Sequence, residues 1–216
     1  MILCDIGNTT YHFKTKKDHF RVDIDKLSTV NLPHDKIYFI SVNKKATKQL
    51  LKQYPHAINL SKYINFQTKY KGIGIDRVVS CSGVQDGIII DLGSAITVDI
   101  MKKNKHKGGF ILPGFNSFKK IYPNISKKLS FTFEKNINLD KIPLNTNSAI
   151  NYAIFLAIIL PILKVYNRYK LPVYLTGGDS KMLKTHLKEI PTKYKKNMIF
   201  NSMKKIIKTI KKENRC

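Results

Sequence analysis

The strongest constraint on this chain is a stretch it uses twice. Residues 2–13 read ILCDIGNTTYHF and residues 88–100 read IIIDLGSAITVDI. Aligned on Asp5 and Asp91, each runs apolar residues, Asp, an apolar residue, Gly, a small polar residue, and then a second apolar or β-branched run. This predicts two β-hairpins, in which a buried strand carries the Asp to its end, Gly7 or Gly93 turns the chain tightly, and Thr-rich residues begin the return. Main-chain N–H groups at such a turn lie beside a carboxylate and a hydroxyl, which suits a phosphate arriving with a metal ion. Two such turns facing each other make a two-sided phosphate clamp; the plainer reading is two ordinary hairpins in an α/β protein. A length of 216 residues accommodates two halves of about a hundred each, as the repeat suggests.

Taken in order, residues 19–24 alternate as a third antiparallel strand and residues 36–42 read as a buried strand. Asn43 then opens a Lys-rich helix reaching to about Tyr54, with Ala46, Leu50 and Leu51 on one face, and residues 57–60 read as a short strand. This mixed β-β-β-α-β-α order resembles the ribonuclease-H-like unit. In YKGIGIDR, residues 70–77, the glycines make only GxG, which argues against a dinucleotide fingerprint, and no GxxxxGK[ST] occurs. Asp76 and Arg77 fall in the first turn of the next helix; an acid there is favoured by the helix dipole, and it equally suits a site beside a glycine turn. In the second half, strands are expected at 88–91, 95–101 and 108–112, with a basic hairpin tip at 102–107 and a helix at about 117–122. The polar stretch 123–147 reads as a mobile loop or flap. Asn145, Thr146 and Asn147 cap a long apolar helix to about Tyr169, apolar on nearly all sides and so expected to bury against the sheet and a twofold partner. A strand at 172–175 enters Thr176-Gly177-Gly178, a helix follows at 181–189, a last strand is expected at 198–200, and a terminal helix at 202–215.

Composition narrows the partners. Against 39 Lys and Arg stand 14 Asp and Glu, a formal +25 that attracts anions of any kind. Only four of the 39 are arginines (Arg21, Arg77, Arg168, Arg215), whereas nucleic-acid readers exploit the bidentate guanidinium, so the charge points only weakly to nucleic acid. Cys4, Cys81 and Cys216 form no CxxC pair, which fits a reduced, cytoplasmic chain, and the six dispersed histidines form no zinc motif. The amino terminus lacks a basic region before its first Asp and does not read as a signal peptide. The longest apolar run, residues 152–163, is short of the roughly 20 residues of a membrane span, so no membrane association is expected.

Together these motifs resemble the type III pantothenate kinase family of the acetate kinase, sugar kinase, Hsp70 and actin superfamily. The residues that carry the match are Asp5-Ile-Gly-Asn-Thr-Thr, Gly74-Ile-Asp-Arg77, Asp91-Leu-Gly-Ser-Ala-Ile-Thr-Val-Asp99, Gly108-Gly-Phe-Ile-Leu-Pro-Gly114, Asn145-Thr146 and Thr176-Gly-Gly178. The resemblance implies an α/β fold of two ribonuclease-H-like (actin-like ATPase) halves, residues 1–73 and 74–216, each a mixed five-stranded sheet flanked by helices, with a cleft between them. It implies ATP-dependent phosphorylation of pantothenate, the first step toward coenzyme A. Carried over by position, Asp5, Ile6, Gly7, Asn8, Thr9, Thr10, Tyr11 and His12 form the first phosphate loop, Asp5 acting on the nucleotide through magnesium. Asp76 is the catalytic carboxylate, and Tyr70, Gly74, Ile75, Asp76, Arg77 and Thr146 hold pantothenate, Thr146 reaching in from the partner of a homodimer. Asp91 binds a monovalent cation, potassium or ammonium, and Ser94 contacts ATP where the family usually has Thr. Two rivals remain: another kinase or phosphohydrolase of the superfamily, and a non-catalytic nucleic-acid-binding regulator on the same fold.

Overall fold

The computed structural model describes residues 1–213, so the expected helix end at Arg215, and Cys216, lie outside the described residues. The chain packs as two units, Met1–Val84 with the residues from Asn197 onward, and Gln85–Lys196.

The first unit is built on strands β1 (Ile2–Ile6), β2 (Thr10–Lys14), β3 (His19–Asp23), β4 (Ile37–Ser41) and β5 (Ile58–Asn59), in the order β3-β2-β1-β4-β5. The β1–β2 and β2–β3 pairs are antiparallel, and β4 and β5 continue parallel to β1. Side chains alternate across a strand, so Ile2, Cys4 and Ile6 face one layer while Leu3 and Asp5 face the other. The first layer holds helix α1 (Lys44–Gln53) through Ala46 and Leu50, with Tyr11, Phe13 and Phe39. The second holds helices α2 (Ile75–Cys81) and α6 (Met198–Glu213), where Val79, Phe200, Met203 and Ile207 cover Leu3, Tyr38 and Ile40.

That second layer moves the expected boundary. The helix carrying Gly74–Arg77 packs on the first sheet, and the carboxy-terminal helix returns to it, so the division falls at Val84/Gln85 rather than after residue 73. It also corrects the strand expected at 198–200. Phe200, Met203 and Ile207 share one face at helical spacing, and α6 begins at Met198.

The second unit repeats the arrangement with β6 (Gly87–Leu92), β7 (Ala95–Lys102), β8 (Lys105–Pro113), β9 (Val173–Thr176) and β10 (Thr192–Tyr194), ordered β10-β9-β6-β7-β8. Its first three strands are antiparallel and the last two run parallel to β6, so both sheets carry the same mixed five-stranded topology. One face packs on helix α4 (Thr146–Tyr169), helix α3 (Phe115–Ile125) and helix α5 (Ser180–Lys184). Ile150, Ile154, Ile158 and Ile162 recur every four residues and stack into one buried stripe. By length and composition α4 could cross a membrane, but this stripe is that of a core helix. The opposite side of α4 leaves Ala149, Ala153, Ala157 and Leu160 exposed.

Candidate active site

The repeated hairpins are both present, at equivalent places in the two sheets. In the first, Ile6 pairs with Tyr11 and the Gly7 N–H donates to the Thr10 carbonyl at 3.0 Å, leaving Asn8 and Thr9 exposed at the tip. Asn43 ties this tip to α1: its Oδ1 accepts the Ala46 N–H at 3.0 Å as the helix cap, and its Nδ2 donates to the Asn8 carbonyl at 3.3 Å. Ile6 and Tyr11 place their side chains in the core, and the Tyr11 hydroxyl donates to the Ala46 carbonyl at 2.8 Å. Burial pushes the Tyr11 phenol up to about 12, with the nearby Cys4 adding to the shift. These two residues of the expected phosphate loop therefore offer a ligand only their main chain.

Asp5 is half-buried one residue before the end of β1, directly across from His12 on β2 and beside Ile40 on β4. His12 does not project from the loop. Its ring stacks on His19 at 4.5 Å and meets the edge of Phe200 at 4.9 Å. Burial, followed by Arg21, His19 and Lys14, lowers its pKa to about 3, so the ring is neutral near pH 7.

The Gly74–Arg77 motif lies at the same end of this sheet. A Cβ on Gly74 would sit 2.5 Å from Asp76 Oδ1 and 3.7 Å from Val42 Cγ1, and the Val42 N–H donates to the Ile6 carbonyl at 3.1 Å. Gly74 has an ordinary φ of −66°, so its glycine serves space: the Asp76 carboxylate folds back over it. Asp76 Oδ1 also accepts the Arg77 N–H at 2.8 Å, which fixes the carboxylate at the helix start. Arg77 is buried, with its guanidinium 4.8 Å from the centre of the Tyr70 ring. The first unit thus gathers Asp5, the hairpin tip, Asp76, Arg77 and Tyr70 at or near the carboxyl ends of β1 and β4, where ligands bind in open α/β sheets.

In the second unit the Gly93 N–H donates to the Ala95 carbonyl at 3.1 Å, and Leu92 pairs with Ile96. The turn is one residue shorter than the first, so Asp91 faces Thr97 where Asp5 faces His12. The repeat therefore holds through the glycine and slips by one residue on the returning strand. Two other loops press on this turn. A Cβ on Gly114 would overlap the Gly93 carbonyl oxygen, and the Gly114 N–H and Ser117 hydroxyl donate to the Ser94 carbonyl at 3.1 and 3.3 Å. Gly177 has φ +90°; a Cβ there would overlap the Leu92 carbonyl oxygen and lie 2.5 Å from Asp91 Oδ1. Asp91 is flanked in register by Thr97 and Thr176, residues whose oxygen donors suit a hard cation. Among the described residues no group of three or more His, Cys, Asp or Glu could hold a metal ion, so any metal here would share its ligands with substrate or water.

The family model for type III pantothenate kinase matches residues 1–168. A type III pantothenate kinase of Campylobacter jejuni is 41% identical over 208 residues, covering 96% of this chain and 97% of that protein. The chain belongs to the type III pantothenate kinase family. A solved C. jejuni structure described as a candidate Baf family transcriptional activator superposes with a TM-score of 0.86 at 39% identity, covering 98% of this chain and 100% of that one. MreB 5 of Spiroplasma citri, at 13% identity, aligns with a TM-score of 0.51 over 99% of this chain and 97% of its own, which places the fold among actin-like ATPases. As a type III pantothenate kinase, the protein takes pantothenate and ATP as substrates.

The family's remaining expected contact, Thr146, opens α4, whose cap Asn145 accepts the Ser148 N–H at 2.9 Å. Before it, the expected flap proves partly anchored in this pantothenate kinase. Helix α3 runs on through Pro123 to Ile125, and residues 130–135 lie as a strap along α4. The fully buried Asn151 accepts the Glu134 N–H at 3.0 Å and donates to the Thr132 carbonyl at 2.9 Å, while Asn147 accepts the Thr132 N–H at 2.7 Å. Phe133 completes the seat against Phe115 and Phe155. Reading the sequence missed this strap, the second role of Asn43 and the His12–His19–Phe200 cluster. Asn151, an amide within the apolar stretch 149–163, is a signal in the sequence for the strap.

Proposed function

We propose that this chain phosphorylates the primary hydroxyl of pantothenate with the two carboxylates of its first unit in different roles. The observation that carries the reading is the joint placement of Asp5 on its hairpin and Asp76 over Gly74 at one end of a single sheet. The tip of the first hairpin, residues 7–10, receives ATP phosphates, with the Ile6, Tyr11 and His12 side chains packed behind it, and Ser94 is a further ATP contact. Asp76 orients the pantothenate hydroxyl and takes its proton as the oxygen bonds to the γ-phosphorus and the bond to the β-phosphate oxygen breaks, releasing ADP. Gly74, Ile75, Arg77 and Tyr70 hold pantothenate beside it. Phosphoryl transfer has a loose transition state, so alignment and charge neutralisation are the protein's main contributions. Magnesium bound with the nucleotide through Asp5 would neutralise phosphate charge, and Asp91 with its threonine neighbours would hold potassium or ammonium.

The exposed Ala149, Ala153, Ala157 and Leu160 stripe supports a homodimer through α4, because small residues allow two helices to approach closely. Thr146 of each copy then reaches the pantothenate of the other. Cys4 and Cys81, buried and unlinked by a disulfide, fit a cytoplasmic location. The testing experiment is steady-state kinetics of Asp76→Asn: kcat should fall by about 10²–10⁴-fold with KM for pantothenate little changed. An unchanged kcat would remove Asp76 from the mechanism.

Two observations favour a second reading. The +25 charge and the regulator description of the C. jejuni structure fit nucleic-acid binding. Such affinity would fall steeply as salt rises through counterion release, whereas pantothenate binding would change little.

A further inference from the structure

The first hairpin holds an arrangement that the phosphate-loop assignment does not use. Asp5 and His12 are directly opposite on adjacent antiparallel strands, which puts their Cβ atoms on one face and about 4.5–5.5 Å apart. His12 is in turn opposite Arg21, so Arg21, His12 and Asp5 form a row across the sheet. The imidazole is gripped from two sides, by the His19 ring at 4.5 Å and by Phe200 at 4.9 Å. Phe200 is fully buried on α6, the helix that returns from the far end of the chain to cover this face. In the second hairpin the position opposite Asp91 is Thr97, which has no comparable ring stack among the contacts described.

We propose that His12 is a positioning residue for Asp5, its ring fixed by His19 and Phe200 so that the Asp5 carboxylate is presented in one orientation to the magnesium that accompanies ATP. This rests on the assignment of Asp5 to the nucleotide's magnesium. The physical basis is general: a carboxylate that contacts a metal is held by outer groups whose loss weakens metal affinity or activity about 10-fold to 100-fold. The arrangement also gives α6 a functional reason to close back on the first unit, since Phe200 on that helix touches the row.

The test titrates magnesium against binding of a fluorescent ATP analogue to the full-length protein, with a parallel measurement in EDTA. For His12→Ala the magnesium midpoint should rise about 10-fold or more, while affinity for the metal-free analogue and KM for pantothenate stay within a factor of about two. His12→Asn, which retains a hydrogen-bonding group, should recover part of the shift. Phe200→Leu, which leaves His12 in place but loosens its grip, should give an intermediate one. A purely structural role would lower Tm without moving the magnesium midpoint, and that outcome in a folded His12→Ala overturns the proposal. Should His12→Ala fail to fold, unchanged midpoints in both His12→Asn and Phe200→Leu overturn it equally. If the wild-type protein shows no magnesium-dependent nucleotide binding, the role of Asp5 fails and this inference falls with it. Magnesium dependence in the wild type that the variants leave untouched defeats the inference alone.

Discussion

The two hairpins share a sequence pattern and a place in their sheets, yet they are held in different ways. The first is tied at its tip by the Asn43 side chain and by the Ile24 N–H, which donates to the Thr9 carbonyl at 3.1 Å, and Gly7 meets only an ordinary contact, with the nearest atom 3.5 Å from where a Cβ would stand. The second is enclosed: Gly114 and Gly177 bring two further backbone segments against Gly93, Leu92 and Asp91 so closely that no side chain fits. Behind the carboxylates the contrast repeats, with a stacked imidazole behind Asp5 and a hydroxyl beside Asp91. The difference teaches that one repeat can be specialised by its surroundings. A preformed oxygen-lined seat suits an ion that stays, whereas a more open tip backed by a stacked ring suits phosphates that come and go at each turnover.

The largest effect that separates the two comes from their carboxylates. Asp5→Asn should reduce kcat/KM by about 10²–10³-fold and raise the magnesium requirement, and Asp91→Asn should cause a loss of similar size with the response to potassium abolished. Assays over both ion concentrations check this; a common ion dependence in the two variants would erase the distinction. A second, smaller effect concerns the glycines. Gly177→Ala meets both a positive φ and the Leu92 carbonyl, and should destabilise by about 1–3 kcal/mol or more in denaturant unfolding. Gly7→Ala, facing only an ordinary contact, should stay within about 1 kcal/mol of wild type.

The smallest effect is a pH dependence confined to the first hairpin. His12 has its pKa lowered from 6.5 to about 3, by burial first and then by Arg21, His19 and Lys14. Between those values the unfolded chain binds more protons than the folded one, so stability rises with pH. The contribution is fully present above about pH 6.5 and is lost progressively as pH falls toward 3. After discounting for the ring's partial exposure it amounts to about 2 kcal/mol. His12→Asn should flatten unfolding free energies measured from pH 7 to pH 4, and an unchanged slope would show that the ring is not held neutral by its surroundings.

Much of this was legible in the sequence because it is governed by local chemistry. An Asp followed two residues later by Gly at the end of an apolar run could hardly be anything but a strand ending in a turn, and both copies appear where expected. The Gly74–Arg77 helix start was equally readable. What could not be read were features settled by distant partners. The one-residue slip on the returning strand depends on the length of each turn, and Tyr11 turns inward because α1 offers its hydroxyl the Ala46 carbonyl. The three-residue strand β10 has too little sequence to declare itself, and residues 198–200 look like a strand until Met203 and Ile207 extend the helical face. Residues 130–135 are polar enough to pass for a flap, but main-chain bonds to Asn147 and Asn151 hold them.

The measurement that bears most directly on the whole account is mass detection of phosphopantothenate after incubation of the purified protein with pantothenate, ATP and magnesium, in separate reactions containing potassium, ammonium or sodium. The account predicts product with potassium and with ammonium and little with sodium, joining the reaction to the oxygen-lined seat at Asp91. Absence of product with every ion, from folded protein, would contradict it and bring nucleic-acid binding forward as the function to test.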